Sequence, residues 1–289
     1  MSGQTIYADN CAADFSNMYI QGNYFSKTES ISQLYLSNFE NSYKEGPILS
    51  TGDFMNNPQN MISLMIHDYK EKKEDAIILP KPRNLNIGLK RLIEKRASAR
   101  HFSGNKLLKQ DLSDFLFYSA GQIRKEKITI FGMDVEKTKF SYPSGGGMYG
   151  LQLILMIYSV QGIRSGGYAY QPISHSLHRI CDEISLDNFI VTKRYDKTKA
   201  EYVDIENLKP SIFICCVNHF KKQRLKYGEL SLALAYTDCG CMLQNAGLTA
   251  AALHLNFCIW AGFKKSRAEK LLNINGINDH IIMTALLGK

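Results

Sequence analysis

The sequence predicts an α+β fold, a central mixed sheet flanked by helices, and three observations carry that expectation. Segments with apolar residues at helical spacing alternate with short apolar runs of strand length. Two of those runs, 151–158 and 211–217, are rich in branched residues and too short for buried helices. Between Leu230 and Leu255 one long segment is apolar nearly all round, which reads as a buried helix.

Taken in order, residues 1–75 stand apart. They are rich in Asn, Ser and Tyr, with weak helical spacing around Ile31, Leu34 and Phe39 and again around Met61 and Leu64. They read as a helical extension, either a dimer arm or an element that docks a peptide leader. The prolines of Leu79-Pro80-Lys81-Pro82 break any helix and mark entry to a main domain over 76–289. Ile87, Leu89, Leu92 and Ile93 predict a helix over 87–96. Leu112, Phe115, Leu116 and Ser119 predict a second, capped at Gly121. Residues 122–140 are polar and charged and read as a mobile loop. Strands are expected at 152–160, near 168–171 and at 211–218. The long helix over 230–255 follows, then a strand 257–260, a short helix 266–272 and a strand 280–287.

Composition narrows the function. Apolar residues at 45% suffice for a packed core, and the formal charge of +8 favours anionic partners. The basic residues are scattered over 71–109, 124–139, 193–199 and 221–226, with no zinc finger or basic helix, so nucleic acid is not the expected partner. Seven cysteines without a C-x-x-C pair suit a reducing, cytoplasmic location. No second ligand pair stands at zinc spacing, so no metal site is expected. No apolar run approaches the roughly 20 residues of a membrane span, so no membrane association is expected.

The richest stretch is Pro143-Ser144-Gly145-Gly146-Gly147-Met148-Tyr149. Three glycines before a buried strand cost backbone entropy, and a chain keeps them where its backbone turns sharply or closely approaches a flat or anionic group. Arg96, Ser98 and Arg100 follow a helix at two-residue spacing. Two guanidiniums and a hydroxyl suit a phosphate monoester, although cations at a helix end also meet the dipole favourably. Gln244 and Asn245 interrupt the long apolar helix, and buried amides there need a backbone, mutual or ligand partner.

With Gly166-Gly167-Tyr168-Ala169-Tyr170, His175-Ser176-Leu177 and Trp260-Ala261-Gly262-Phe263, these motifs stand in an order that resembles the flavin-dependent nitroreductase superfamily. Within it, the likeness is to the SagB-type azoline dehydrogenases of thiazole/oxazole-modified peptide biosynthesis, from about Ile78 to Lys289. The resemblance implies a homodimer with FMN held at the subunit interface. It assigns the FMN phosphate to Arg96, Ser98 and Arg100, with Lys289 as a further basic contact. It assigns the flavin ring to Pro143, Ser144, Gly145, Gly146, Gln244 and Asn245. It places Lys226-Tyr227 where such enzymes keep a catalytic pair. Oxidising an azoline to an azole removes a proton and a hydride from neighbouring ring carbons, and a lysine works as the base only where its surroundings favour the neutral amine. The alternative is a solvated run over Lys221–Lys226.

Several positions depart from the family pattern. Ala97 stands where a second basic residue is common, Gly150 where Pro is frequent, and Asp238 where Glu is usual. Leu230, Leu232 and Ala233 replace residues that are commonly Arg, Tyr and Arg, for which Arg224 is a candidate substitute. The expected function is oxidation of azolines in a precursor peptide, in complex with a cyclodehydratase. The alternatives are an NAD(P)H-dependent nitroreductase or quinone reductase, and a flavin-free scaffold of a peptide-modification complex.

Overall fold

The computed structural model describes residues 35–36, 56–65, 71–190 and 208–289. Those from 56 onward belong to the unit Thr51–Lys289. Most of the expected extension over 1–75, and the basic cluster 193–199, lie outside the described residues. In the extension, α1 (Pro58–Met65) starts where the Asn57 side chain accepts from the Gln59 and Asn60 amides at 2.9 and 3.3 Å.

Further along, the elements are β1 (Ile77–Ile78), α2 (Leu89–Lys95), α3 (Lys109–Ala120), β2 (Gln122–Ile130), β3 (Met133–Phe140) and β4 (Leu151–Ile157). They continue with β5 (Gly166–Gln171), β6 (Ser176–Cys181), β7 (Ile212–His219), α4 (Phe220–Tyr227), α5 (Leu230–Ala252), β8 (Asn256–Trp260), α6 (Lys265–Leu271) and β9 (Asp279–Gly288). Seven strands form one sheet in the order β1-β6-β5-β4-β7-β9-β8. Its named strand pairs are antiparallel, and parallel bridging occurs outside the named strands, at Ser103–Lys209 and Leu107–Val160.

The sheet is covered on both faces, which is why β4 and β7 carry almost unbroken apolar runs. Leu151, Leu153 and Leu155 with Ile212, Ile214 and Cys216 pack under α3 and α5. Ile154, Met156, Phe213, Cys215 and Val217 face the other way, toward Phe189, Ile190 and α6. α5 buries Ala235, Cys239, Met242, Leu243, Ala246 and Ala250 at helical spacing, while Leu232 and Tyr236 stay exposed, so it is buried along one side rather than all round.

The structure corrects the reading of 122–140. That segment is an antiparallel hairpin, with Ile130 paired to Met133 around Phe131 and Gly132. Both turn residues have positive φ, 48° and 78°, as tight two-residue hairpins require. Burial does alternate with period two, over Glu126–Ile130 and Asp134–Lys137, but charged residues occupy both faces, so the sequence lacks the alternation of apolar and polar residues that marks a strand. Gly121 caps α3 as expected, its amide donating to the Phe117 carbonyl at 2.9 Å. It is extended, and glycine is needed because a Cβ would stand 2.7 Å from the Phe117 carbonyl oxygen.

The Gly167–Leu177 motif is architectural. The Tyr170 hydroxyl meets His175 Nδ1 at 2.9 Å, His175 Nε2 meets Ser113 Oγ at 2.7 Å, and Ser113 donates to the Pro80 carbonyl at 2.5 Å. This chain of bonds ties the β5–β6 turn to α3 and to the proline-marked entry. Glu71 caps the same turn by accepting from the Ile173 and Ser174 amides.

Candidate functional site

The glycine run forms a tight turn over Gly145–Gly147, with φ of 61° at Gly146 and 64° at Gly147. Two successive left-handed residues are cheap only for glycine. The Gly147 amide donates to Ser144 O at 2.8 Å, and the Tyr149 amide to Ser144 Oγ at 2.9 Å. Ser144 Oγ in turn donates to Asp238 Oδ2 at 2.5 Å, and the Gly145 amide donates to Asp238 Oδ1 at 3.1 Å. Asp238, buried on α5, thus anchors the turn through both carboxylate oxygens. Burial raises its pKa, while the bonds from Ser144 and Gly145 oppose that rise. Asp238 entered the sequence reading only as a mild departure from the family; its anchoring role is tertiary, and no local pattern marks it.

Lys226 and Tyr227 lie against this turn. A methyl group placed on Gly146 would overlap the Tyr227 hydroxyl and come within 2.9 Å of the Lys226 ammonium. The pair ends α4, which starts directly at the end of β7 and stops at Gly228. Both residues are half-buried, and the Lys226 ammonium lies 5.2 Å from the Tyr227 ring centroid. Lys226 therefore turns toward the glycine run rather than extending the solvated basic stretch. Arg224 is engaged elsewhere, with its guanidinium 5.1 Å over the Phe220 ring and directed at the Ile277 carbonyl.

An open cleft of about 650 Å³ lies beside the run. Its walls include Pro143, Ser144, Gly146 and Gly147 on one side and Arg124, Lys137 and Lys139 of the hairpin on the other. Tyr142 also lines it, and burial, followed by nearby Asp238, holds its phenol well above the ordinary range, so it presents a neutral hydroxyl. The Lys137 ammonium donates to Gly146 O at 3.3 Å.

Gln244 and Asn245 do not act as one unit. Asn245 Nδ2 donates to Ser141 O at 2.8 Å and so holds the segment leading into the run. Gln244 is exposed, because neighbouring helical residues point about 100° apart.

Arg96, Ser98 and Arg100 follow α2 in an extended segment whose Ala99 amide donates to Phe257 O at 2.9 Å, beside edge strand β8. Two-residue spacing in extended backbone puts all three on one side. All three are exposed, and among the described residues no carboxylate pairs with either guanidinium. Lys289 sits nearby, its carbonyl accepting from the Ser103 amide at 2.5 Å. Arg96 lies along α5 at Gly247, where an added Cβ would meet its Cγ at 3.5 Å. Gly247 is nine residues beyond Asp238, about 13 Å along the axis and half a turn around it. The cationic segment and the glycine run therefore occupy opposite sides of α5. Among the described residues no helix is long and apolar enough to cross a membrane.

The sequence profile of the nitroreductase family matches residues 93–289. The protein MJ1384 of Methanocaldococcus jannaschii, a nitroreductase by name, is 25% identical over 200 residues, 69% of this chain and 91% of its own. The microcin B17-processing protein McbC of Escherichia coli is 30% identical over 141 residues, 46% of this chain and 48% of its own, so the matched part is about half of that relative. A nitroreductase by name from Ralstonia eutropha superposes with a TM-score of 0.56 at 18% identity, covering 76% of this chain and 91% of that one. A chain of the E. coli microcin synthetase McbBCD complex with truncated pro-MccB17 bound superposes with a TM-score of 0.52 at 20% identity, covering 91% of this chain and 99% of that one. Likeness at such identities is likeness of fold.

Proposed function

The chain belongs to the nitroreductase family of oxidoreductases, and on that footing we propose that it is an FMN-dependent dehydrogenase oxidising azoline rings of a ribosomally made peptide to thiazoles or oxazoles. The observation that carries this reading is the meeting of Lys226 and Tyr227 with Gly146. A simple two-electron reductase needs no base at that place. McbC, whose name assigns it to microcin B17 processing, is 30% identical over 46% of this chain.

The residues present suit a flavin. The open cleft beside the run has Pro143, Ser144, Gly146 and Gly147 in its wall, and exposed Arg96, Ser98 and Arg100, with Lys289 beside them and no carboxylate partner among the described residues, suit the phosphate. The chemistry that bound FMN supplies is acceptance of a hydride. Lys226, acting through its free amine, would take the proton from the ring carbon next to the hydride donor, and the Tyr227 hydroxyl would orient that amine or the departing proton. Pro143, Ser144, Gly145 and Gly146 would hold the ring, and Asn245 keeps their approach fixed through Ser141. Because the phosphate fork and the glycine run face opposite sides of α5, a homodimer with flavin at the subunit interface, each copy lending one half, fits the chain better than a single copy. Residues 1–75 are assigned to an arm or leader-docking extension and 76–289 to the catalytic domain. The described cysteines are free thiols, in keeping with a reducing, cytoplasmic setting. The fold shared with the McbBCD complex supports a precursor peptide as substrate and a cyclodehydratase as partner.

A second reading, an NAD(P)H-dependent nitroreductase or quinone reductase, is favoured by the match to MJ1384 over 91% of that protein. One experiment separates the two. Purified protein loaded with FMN is given an azoline-containing peptide, and in parallel NADPH alone. Loss of two hydrogens per ring, abolished by Lys226→Ala, supports the dehydrogenase. Rapid bleaching of flavin by NADPH with peptide mass unchanged overturns it in favour of the reductase.

A further inference from the structure

Each of the last two glycines of the run makes room for a different lysine. The bare α-carbon of Gly146 faces Lys226 and Tyr227, whereas a Cβ on Gly147 would overlap the Lys137 ammonium and stand 2.6 Å from its Cε. Lys137 is 8% exposed and comes from β3 of the hairpin, an element of separate origin from α4. Its ammonium bonds to the carbonyl of Gly146, the very residue on which the proposed catalytic pair rests.

The turn is held at both ends as well, since the Tyr149 amide returns to Ser144 Oγ and the His219 amide donates to the Gly150 carbonyl. Asp238 fixes Ser144 and Gly145, and the amides of Gly147 and Met148 return to Ser144 and Gly145. Left-handed glycines lose more freedom on ordering than any other residues, so the apex that holds two of them benefits from a restraint of its own. The Gly146 carbonyl is the handle available there, and a charged donor in a largely buried site grips it more strongly than a neutral one.

We propose that Lys137 is a positioning residue for the Lys226–Tyr227 pair, clamping the Gly146 carbonyl from the hairpin so that the turn keeps its bare face against that pair. The assignment rests on the proposed dehydrogenase reading only for its consequence in turnover, not for the clamp itself. It also gives the hairpin a task, since moving the hairpin moves the clamp.

The test is peptide-resolved hydrogen–deuterium exchange on the full-length protein, without substrate, for wild type, Lys137→Met and Lys137→Arg. Lys137→Met is expected to speed exchange in the peptide spanning Gly145–Tyr149 by about tenfold or more, leaving β4 and α5 unchanged. Lys137→Arg, which keeps a charged donor, restores most of the protection. Unchanged exchange in Lys137→Met, or acceleration spread over the whole sheet, overturns the clamp. Turnover of an azoline peptide is then read on the same samples. With wild type active, a loss confined to kcat in Lys137→Met supports the clamp's role at the site, and an equal loss through KM refutes it. A wild type that binds flavin but never turns over an azoline counts against the dehydrogenase reading, while the exchange result still decides the clamp.

Discussion

Replacing Gly146 by Ala separates a local strain from a displacement of the proposed catalytic pair. Two costs follow from the structure. The first is conformational: φ is 61° at this position, and a residue with a side chain held there costs about 1–2 kcal/mol. For a domain of this size that lowers the melting temperature by about 2–8 °C. The second is steric, since the new methyl would overlap the Tyr227 hydroxyl and lie 2.9 Å from the Lys226 ammonium. Both side chains end α4 and can retreat only by shifting about 1 Å, and a misplacement of that size costs about a hundredfold in rate. Gly162→Ala is the control. Gly162 has φ of 71° but nothing within 4 Å of an added Cβ, so it carries the first cost without the second. Thermal melts and azoline-peptide turnover are measured on both variants. Similar melting shifts with turnover lost only in Gly146→Ala are expected. Equal turnover in the two variants would refute the placement of Lys226 and Tyr227 against the glycine run.

Three further outcomes are expected. Arg96→Ala and Arg100→Ala each remove one charge-assisted contact worth about 1.5–3 kcal/mol, so FMN affinity by fluorescence titration falls roughly ten- to a hundredfold each, while the melting temperature of the flavin-free protein hardly moves. Burial raises the folded-state pKa of Asp238, so its proton is held more tightly in the native than in the unfolded chain. Its contribution to stability is full below about pH 4 and fades as pH rises through the native value; urea midpoints across pH 4–7 show that slope in wild type and lose it in Asp238→Asn. Burial lowers the pKa of His175, so stability is full above about pH 6.5 and falls as pH drops through the native value, and a His175→Gln variant shows a flatter acid limb.

The parts of the fold legible in sequence are those whose neighbours are apolar on every side. β4, β7 and β9 are mostly apolar runs because helices cover both faces of the sheet, and α5 is long and periodic because it lies along that core. The hairpin was missed for the opposite reason. Ile123, Ile128 and Ile130 do mark β2, and Phe131-Gly132 is a turn signal, but Arg124, Lys125, Lys127 and Lys139 interrupt the apolar alternation, and a buried Lys137 hides the inward face. α4 hides similarly, since its basic residues outweigh the inward positions Gln223, Lys226 and Tyr227. At the site, the glycine run and the Lys226–Tyr227 pair were visible as local patterns. What brings them together is not, because Asp238 and Lys137 reach the run from 93 residues away at Gly145 and nine away at Gly146. The amide pair was half legible: Asn245 bonds to the run's approach, and Gln244, one residue earlier, faces outward.

α4 begins where β7 ends, with His219 serving as the last residue of the strand and the cap of the helix. No linker intervenes between the sheet and the proposed catalytic pair. β7 lies between β4 and β9 with its side chains buried, so its register is fixed by both neighbours. A slip of one residue would carry Lys226 by about 3.3 Å and turn every core side chain of the strand outward. The accuracy of the pair is therefore inherited from the most cooperative part of the molecule rather than from a surface segment. On gradual heating, loss of activity and loss of the sheet should coincide, with no window in which the protein stays folded but idle.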